Sequence, residues 1–478
     1  MKTLFSILIV VQLILMPKLE AEVVLDGSMG TDGTIAGPVY QIHADLSRQA
    51  GENLFHSFSQ FNIDVGEHAV FHGSADVQNI ISRVTGGNLS TIDGRIDSSA
   101  MPNANFFLLN PAGIIFGADA SLNIGGSFTA STASYLEFSD GEKFFAQPIA
   151  SEILSSAPIS AFGFTDADVG TIEINGSQLK VNSTKALNLV GGDISIDSSA
   201  LVQAADGQVN IISVQSTGVA NINNEDPTIS TSTFKTLGAL KIQNASTVDV
   251  SGSGGGHIQI RADSMLLNRN AGIHADSEGT ANARGVDIIA DSTLHILNGS
   301  NITSSALHQG HAGLVSIRAG SLFINRMNSQ EYTGVFSVSD GERADTANAI
   351  GHAGDIQIWV HDYLEILAGG GISSATKTVG DAGSIFIQAG TLLIDGRGSL
   401  GDSVSVDSMQ LALSSGNILH LSHTGISSTA LPSSKGKAGH IDVTVSNQLE
   451  IYEGGLIDSS TYGEGDAGLI NIQAQVLY

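Results

Sequence analysis

The side chains with most potential for acid–base or metal chemistry are aspartates, histidines and a lysine in the second half of the chain. Five of them share one position of a repeated Gly-x-Ala-Gly segment: Asp381, Asp466, His311, His352 and Lys437. Enzymes that cleave polysaccharides need carboxyl groups clustered around the scissile bond. The other acidic side chains are scattered, and a mixed column at the lip of a turn is most simply a solvated corner. We therefore predict no catalytic residue.

Four histidines could suggest a metal site, because imidazole is a frequent metal ligand. His257, His311, His352 and His440 lie in different repeats, and the first and last have a different offset from the other two. We therefore predict surface histidines, no metal site and no cofactor. The chain contains no cysteine, which excludes disulfides, thiolate zinc sites and a cysteine nucleophile.

These side chains must be positioned by short strands and turns. Phe106 to Gly117 reads FFLLNPAGIIFG, in which two apolar runs flank Asn110-Pro111-Ala112-Gly113. Proline fixes φ at the second turn position, asparagine tolerates unusual backbone angles and Gly113 can adopt φ > 0. The stretch predicts a buried strand, a turn and a second buried strand.

A repeat follows, with the pattern Gly-x-Ala-Gly-x-Ile-x-Ile, Leu-x-Ile and Gly-Gly-x-Ile-Ser-Ser. Its copies begin at Gly351, Gly380, Gly436 and Gly465, and the step from Gly354 to Gly383 is 29 residues. Three short alternating pieces per period predict one coil of a parallel β-helix, with glycine at corners that require φ > 0. Longer steps of 41 and 56 residues indicate surface loops or, in the larger case, an extra turn. Coils of about 25 residues would give about 18 coils in a rod of about 80–90 Å.

Composition limits the function classes. The 478 residues have a formal net charge of -27, which argues against binding nucleic acid or anionic membrane surfaces. The chain has 56 Gly and only 14% charged residues, which is typical of strands and turns and poor in amphipathic helix. At the N terminus, Lys2 precedes the apolar run from Leu4 to Met16. This pattern predicts a signal peptide, residues 1–21, cleaved after Ala21.

Residues 22–150 are distinct, since 11 of the 18 Phe fall there. The block contains NLFHSFSQFNI from Asn53, NIISRVTGGNLSTIDGRI from Asn79, the FFLLNPAGIIFG stretch and ASLNIGGSF from Ala120. In this order and spacing, the segments resemble the filamentous-haemagglutinin-type secretion domain of two-partner secretion exoproteins. NPAGI matches the family's Asn-Pro-Asn-Gly-Ile motif, with Ala112 replacing the second Asn. A second family motif, Asn-Pro-Asn-Leu, has no clear counterpart, and the most similar position begins at Gly87.

The resemblance implies an all-β, right-handed parallel β-helix with an N-terminal capping secretion domain at 22–150 and a repetitive stalk at 151–478. It also implies recognition of the unfolded chain by the POTRA domains of an outer-membrane β-barrel transporter. The expected secretion motif is Asn110, Pro111, Gly113 and Ile114, with a secondary segment at Gly86, Gly87 and Asn88.

Two functions remain open at this stage. The first is a secreted, non-enzymatic adhesin that contacts host-cell or surface glycans or proteins outside a Gram-negative-type bacterium. The alternative is a β-helical lyase or hydrolase that acts on polysaccharides. The chain stops at Tyr478, within a repeat, which favours a stalk truncated at its C terminus.

Overall fold

The computed structural model describes residues 22–150, 152–223, 228–327, 329–340, 351–398 and 423–478. The predicted signal peptide and its cleavage site at Ala21 lie outside these residues. Strands and turns dominate the described chain, together with one 3-10 helix at Ala44–Leu46. No helix in the described part is long and apolar enough to cross a membrane.

The strands of the first coils are short and separated by tight turns. They are β1 (Val23–Asp26), β2 (Asp32–Ile35), β3 (Val39–Ile42), β4 (Arg48–Ala50), β5 (Asn53–Phe61), β6 (His68–Phe71), β7 (Asn79–Val84), β8 (Ser90–Ile92), β9 (Arg95–Asp97), β10 (Asn105–Leu109), β11 (Ile114–Phe116), β12 (Ser121–Asn123) and β13 (Phe128–Ser131). The middle of the chain continues with β14 (Tyr135–Phe138), β15 (Lys143–Phe145), β16 (Ile159–Phe164), β17 (Ile172–Asn175), β18 (Gln178–Lys180), β19 (Ala186–Gly191), β20 (Ile194–Asp197), β21 (Leu201–Gln203), β22 (Gln208–Ser213), β23 (Gly218–Ile222), β24 (Ile229–Ser230), β25 (Ala239–Gln243) and β26 (Thr247–Asp249).

Every second strand of the later coils is long, because two faces of the coil merge into one bent strand. They are β27 (His257–Asn268), β28 (Gly272–His274), β29 (Gly285–Leu297), β30 (Asn301–Thr303), β31 (Leu314–Asn325), β32 (Thr333–Ser339), β33 (Ile356–Leu367), β34 (Gly370–Thr376), β35 (Ile385–Asp395), β36 (Thr424–Ala430), β37 (Ile441–Tyr452), β38 (Gly455–Thr461) and β39 (Ile470–Leu477).

The strands form a parallel β-helix, as predicted. A 21-stranded sheet covers two faces and a 13-stranded sheet, from β3 to β38, forms the third. Because β27 pairs with β22 through its first half and with β25 through its second half, one long strand spans both faces of the larger sheet. The 13 levels of the smaller sheet give about 58 Å along the axis at 4.8 Å per level.

The described chain therefore has fewer coils than the expected 18. The difference arises because many residues leave the stack and form insertions, which the assumption of uniform coils ignored. The 56-residue step adds no extra turn, since Ile385 pairs directly with Ile441 and Ile372 with Ile426. Its additional residues fall between β35 and β36.

Inward-facing aliphatic side chains stack from level to level. Ile288 pairs with Ile317, Ile317 with Ile358, and Ile358 with Ile387. All four are fully buried. Each coil buries several such side chains, for example Val315, Ile317, Leu322 and Ile324, and each contributes about 1.5–3 kcal/mol.

The first glycine of the Gly-Gly-x-Ile segment adopts positive φ, as predicted, at Gly369 and Gly454. The glycines of the Gly-x-Ala-Gly segment have a different cause. Gly354 and Gly383 do not adopt positive φ. A Cβ on Gly383 would instead overlap the carbonyl oxygen of Gly354 one level below. The second serine of each Ile-Ser-Ser stabilises the same corner, because the buried Ser374 hydroxyl accepts a bond of 2.8 Å from the Gly383 amide. Close stacking of coils therefore selects glycine here.

The N-terminal block caps one end of the helix. β1 and β4 pair antiparallel with β5, and β3 pairs with β6, which covers the edges of the first coil. Phenylalanines fill the interior of these coils, and Phe106 contacts Phe71 edge-on at 4.8 Å between ring centroids. Pairing of the first edge strands removes an otherwise open sheet edge.

A lateral sheet of five antiparallel strands lies outside the helix. It consists of β14, β15, β16, β23 and β24. Its apolar side chains, such as Phe144 and Phe162, pack on outward-facing Phe55, Ile81 and Leu109 of the first face. Because these β-helix strands are covered on both sides, adjacent inward and outward side chains are both apolar, as in Leu54-Phe55 and Ile80-Ile81, and the alternation is lost there.

Candidate functional site

The predicted secretion motif forms the corner between β10 and β11. Asn110 to Gly113 is a β-turn, since the Gly113 amide donates to the Asn110 carbonyl at 3.0 Å. The Asn110 side-chain oxygen also accepts from the Ala112 amide at 3.0 Å. Gly113 has φ +120°, a conformation that disfavours any residue with a Cβ. The turn that the sequence predicts from Asn110 to Gly113, with positive φ at Gly113, is therefore present at this corner.

Asn110 also holds the coil below. Its side-chain amide donates to the Asn88 carbonyl and to the Ser90 hydroxyl, each at 3.0 Å. The Asn110 residue is fully buried. The structure thus brings the predicted motif into contact with the secondary segment, 22 residues earlier in the chain. Hydrogen bonds to a buried side chain are costly to lose, because the partners remain without water.

The other predicted residues pack around this contact. Ile114 is fully buried and pairs with Ser90 below and Ile172 above. A Cβ on Gly86 would overlap the Ser59 carbonyl oxygen, and Gly87 has φ +74°. Pro111 lies half-buried beside Gly170, where an added Cβ would overlap the Pro111 carbonyl oxygen. The first four coils therefore interlock at one corner.

An asparagine ladder on the same coils was missed by the sequence reasoning. The Asn105 amide donates to Asn79 at 3.0 Å, and the Asn79 amide donates to Asn53 at 2.8 Å. Each of these residues opens an apolar strand, in NLF, NII and NFF. The recurrence of Asn before apolar pairs at a spacing of 26 residues was a signal that could have revealed the ladder.

A buried arginine was also missed. The Arg83 side chain is fully buried, and its guanidinium bonds to the Glu152 carboxylate at 2.6 Å, the Ser57 hydroxyl at 2.7 Å and the Phe145 carbonyl at 2.7 Å. It also lies 4.3 Å from the centroid of the Phe144 ring. Arg83 therefore fastens the lateral sheet to the β-helix.

The neighbouring Asp26 carboxylate joins this network from the N-terminal cap. Burial alone would raise the pKa of Asp26, but hydrogen bonds from Ser57, Ser28 and Thr85 outweigh burial and hold the pKa below its usual value. The cap, the second coil and the lateral sheet are thereby connected through polar groups.

The charged column of the repeats is a ladder of backbone contacts. The His352 ring nitrogen accepts from the Asp381 amide at 2.9 Å, and the Asp381 carboxylate accepts from the Lys437 amide at 2.8 Å. His311 accepts from the His352 amide at 3.0 Å in the same way. Each side chain thus satisfies an amide of the next coil. Among the described residues, no group of three or more His, Cys, Asp or Glu could hold a metal ion.

The fold and the corner define a capped parallel β-helix with an interlocked N-terminal block. The family model of the TPS secretion domain matches residues 21–260, half of the chain. The chain therefore belongs to the TPS secretion domain family, whose members are two-partner secretion exoproteins exported through an outer-membrane transporter. The match extends beyond residue 150, and the division into 22–150 and 151–478 stays a prediction.

The chain is similar to the HMW1 secretion domain from Haemophilus influenzae, with 19% identity and a TM-score of 0.45, over 90% of this chain and 96% of that chain. No curated protein matches the sequence.

Proposed function

We propose that this exoprotein is a non-enzymatic adhesin that a cognate POTRA-bearing β-barrel transporter exports to the cell surface. The export step uses the interlocked corner of Asn110, Pro111, Gly113 and Ile114 with Gly86, Gly87 and Asn88. The observation that carries this role is the hydrogen bond between the Asn110 amide and the Asn88 carbonyl, at 3.0 Å. It couples the NPAGI turn, the most specific element of the resemblance, to the segment that lies at the place of the second family motif.

Burial of the corner dictates when the transporter can contact it. Asn110 and Ile114 are fully buried in the folded coil. Contact between these side chains and POTRA domains therefore precedes closure of the corner. Short strands such as β10 and β11 can add to an exposed sheet edge in a partner while unfolded. Closure of the corner outside the cell then commits the chain to the folded rod.

Export of corner variants tests this role. Asn110→Ala combined with Pro111→Ala should reduce the extracellular protein when the transporter is co-expressed. Asn103→Ala is the matched control, because Asn103 is exposed in the turn before β10. A second control, Gly383→Ala, destabilises a coil far from the corner. Equal losses for the corner and coil variants would assign the effect to folding, and undiminished export would remove the corner from the mechanism.

The proposed non-enzymatic role is supported by the use of the charged column. The His311 ring, the His352 ring and the Asp381 carboxylate each accept a hydrogen bond from a backbone amide of the next coil. Incubation of the purified protein with a panel of acidic polysaccharides tests the enzymatic alternative. Release of unsaturated or reducing ends would contradict the adhesin role.

A further inference from the structure

An open groove lies on the outer surface of the β-helix, where the first and second faces meet. Its cavity volume is about 430 Å³, and it crosses the adjacent strands β29, β31, β33 and β35. Its lining includes Asp291, Arg318, Trp359 and Gln388. Four strands at 4.8 Å give the groove a length of about 14 Å. It is separate from the corner at Asn110.

The centre of the groove is the one tryptophan of the chain. Trp359 faces outward between buried Ile358 and Val360, and it is only half-buried. The Arg318 guanidinium lies 4.6 Å from the centroid of its ring, and the Phe386 ring lies 5.7 Å away. These neighbours fix the orientation of a large apolar surface that remains accessible to solvent.

The polar groups around Trp359 are available to a ligand. The Asp291 carboxylate and the Gln388 amide form no hydrogen bond with the part of the protein that the structure describes, in contrast to His352 and Asp381 of the charged column. Partial burial, with the nearby negative charge of Asp263, raises the pKa of Asp291. Acceptors and donors of the same groove as Trp359 therefore lack hydrogen-bond partners within the described protein.

The combination of groups identifies the ligand chemistry. The part of the Trp359 ring that Arg318 and Phe386 leave exposed can contact the C–H face of a pyranose, while a carboxylate, an amide and a guanidinium can bind its hydroxyl groups. Arg318 and Asp291 offset each other in charge, and the formal charge of -27 on the whole chain opposes polyanions. We propose that the Trp359 groove binds a neutral oligosaccharide. This inference specifies the partner of the proposed adhesin and rests on that role.

Binding can be followed directly, because Trp359 is the only tryptophan. The purified full chain is titrated with maltotetraose, cellotetraose and chitotetraose, and the fluorescence of Trp359 and the heat of binding are recorded. We expect at least one of these neutral probes to change the fluorescence with saturation. Absence of any change and of any heat for all three probes would overturn the proposal.

Variants separate the groove from non-specific contacts. Trp359→Ala should raise the calorimetric dissociation constant by about tenfold or more, whereas Trp359→Phe should retain part of the affinity. Asp291→Asn should also weaken binding. Tyr363→Ala is the matched control, since Tyr363 is an exposed aromatic residue on the same strand outside the groove. Equal affinity of Trp359→Ala and the native protein would contradict the assignment, as would tighter binding of an acidic oligosaccharide or a peptide.

Export is measured separately for the same variants. Normal export with lost oligosaccharide binding in Trp359→Ala supports the groove. If the native chain is exported normally but binds no probe, the proposed oligosaccharide groove is refuted and the proposed export role is not affected. A native chain that binds the probe in purified form but is not exported by the co-expressed transporter defeats the proposed export role and leaves the groove assignment supported.

Discussion

At the scale of single residues, Asn110 makes a large energetic contribution for one polar side chain. Asn110→Ala removes two hydrogen bonds that the side-chain NH₂ group donates and one that the side-chain oxygen accepts. Net contributions of about 1 kcal/mol per bond predict a loss of roughly 2–3 kcal/mol. Urea denaturation of the purified variant measures it. Exposed Asn103→Ala should change stability by less than about 0.5 kcal/mol, and equal effects of the two would refute the prediction.

His56 predicts a pH dependence of stability. The ring is fully buried beside Phe58 and Phe71, and burial lowers the pKa of His56 to about 3. At a pH below the usual pKa of 6.5, His56 is protonated in the unfolded state but stays neutral in the folded state. The residue therefore lowers the stability of the folded protein as the pH falls from about 6.5 towards 3.

Comparison of variants isolates the contribution of His56 from that of carboxyl groups. Between pH 7 and pH 4.5, the free energy of unfolding of His56→Leu should fall by roughly 2–3 kcal/mol less than that of the native protein. His361→Leu is the control, because the His361 side chain is 87% exposed. Urea denaturation at several pH values gives the slopes. Parallel slopes for native protein and His56→Leu would mean that the ring is protonated in the folded state.

Local turn chemistry at Asn110 could be predicted from the sequence, and its partner could not. Asn, Pro and Gly at successive turn positions carry their conformational preferences in any fold. The bond from Asn110 to Asn88 depends on the register between two coils, which local residue types do not specify. The ladder of Asn53, Asn79 and Asn105 differs in this respect, because its recurrence every 26 residues is visible in the sequence.

At the scale of elements, repeat glycines permit the coils to stack. A Cβ on Gly383 would overlap the Gly354 carbonyl oxygen, whereas a Cβ on Gly371 would meet its nearest atom at 3.5 Å. Gly383→Ala should therefore cost roughly 2–3 kcal/mol. Gly371→Ala, in the same repeat, should leave stability unchanged or slightly higher. Thermal and urea unfolding compare the pair, and similar losses in both would refute close stacking as the cause.

The lateral sheet depends on a buried ion pair. Arg83→Met leaves the Glu152 carboxylate without its partner, which should cost about 3–5 kcal/mol. Lys143→Met is the control, because its pair with Glu137 is exposed and such pairs contribute about 0–1 kcal/mol. Urea denaturation and proteolysis of residues 132–165 report the loss. Unchanged stability of Arg83→Met would exclude this fastening role.

The β-helix strands could be predicted from the sequence, whereas the lateral sheet could not. The three strands of each later coil could be predicted from the sequence, because the same pattern recurs with a period of 29 residues. The antiparallel lateral sheet has no period. Its strands interrupt the fourth and sixth coils, and their apolar residues resemble those of the β-helix. Burial on both sides also removes the alternation that would mark an outer face.

At the scale of the whole molecule, the stack behaves as a series of neighbouring contacts, and its register can be tested by deletion. The His440 ring accepts from the Leu469 amide at a separation of 29 residues, and Ile441 pairs with Ile470. Deletion of residues 440–468 therefore joins Gly439 to Leu469 and places Ile470 where Ile441 now pairs with Ile385. In a solenoid, loss of one internal unit leaves the remaining interfaces intact.

The shortened protein should retain its β-sheet signal in far-UV circular dichroism and unfold in urea with a slightly smaller m-value. The matched control deletes only residues 441–468, which keeps His440 and moves every later residue by one position. Asn471 would then occupy the inward position of Val443, which is 1% exposed, and Ile470 would face solvent. This control should lose the final coil. Equal stability of the two deletions would show that inward and outward alternation does not determine how the coils add.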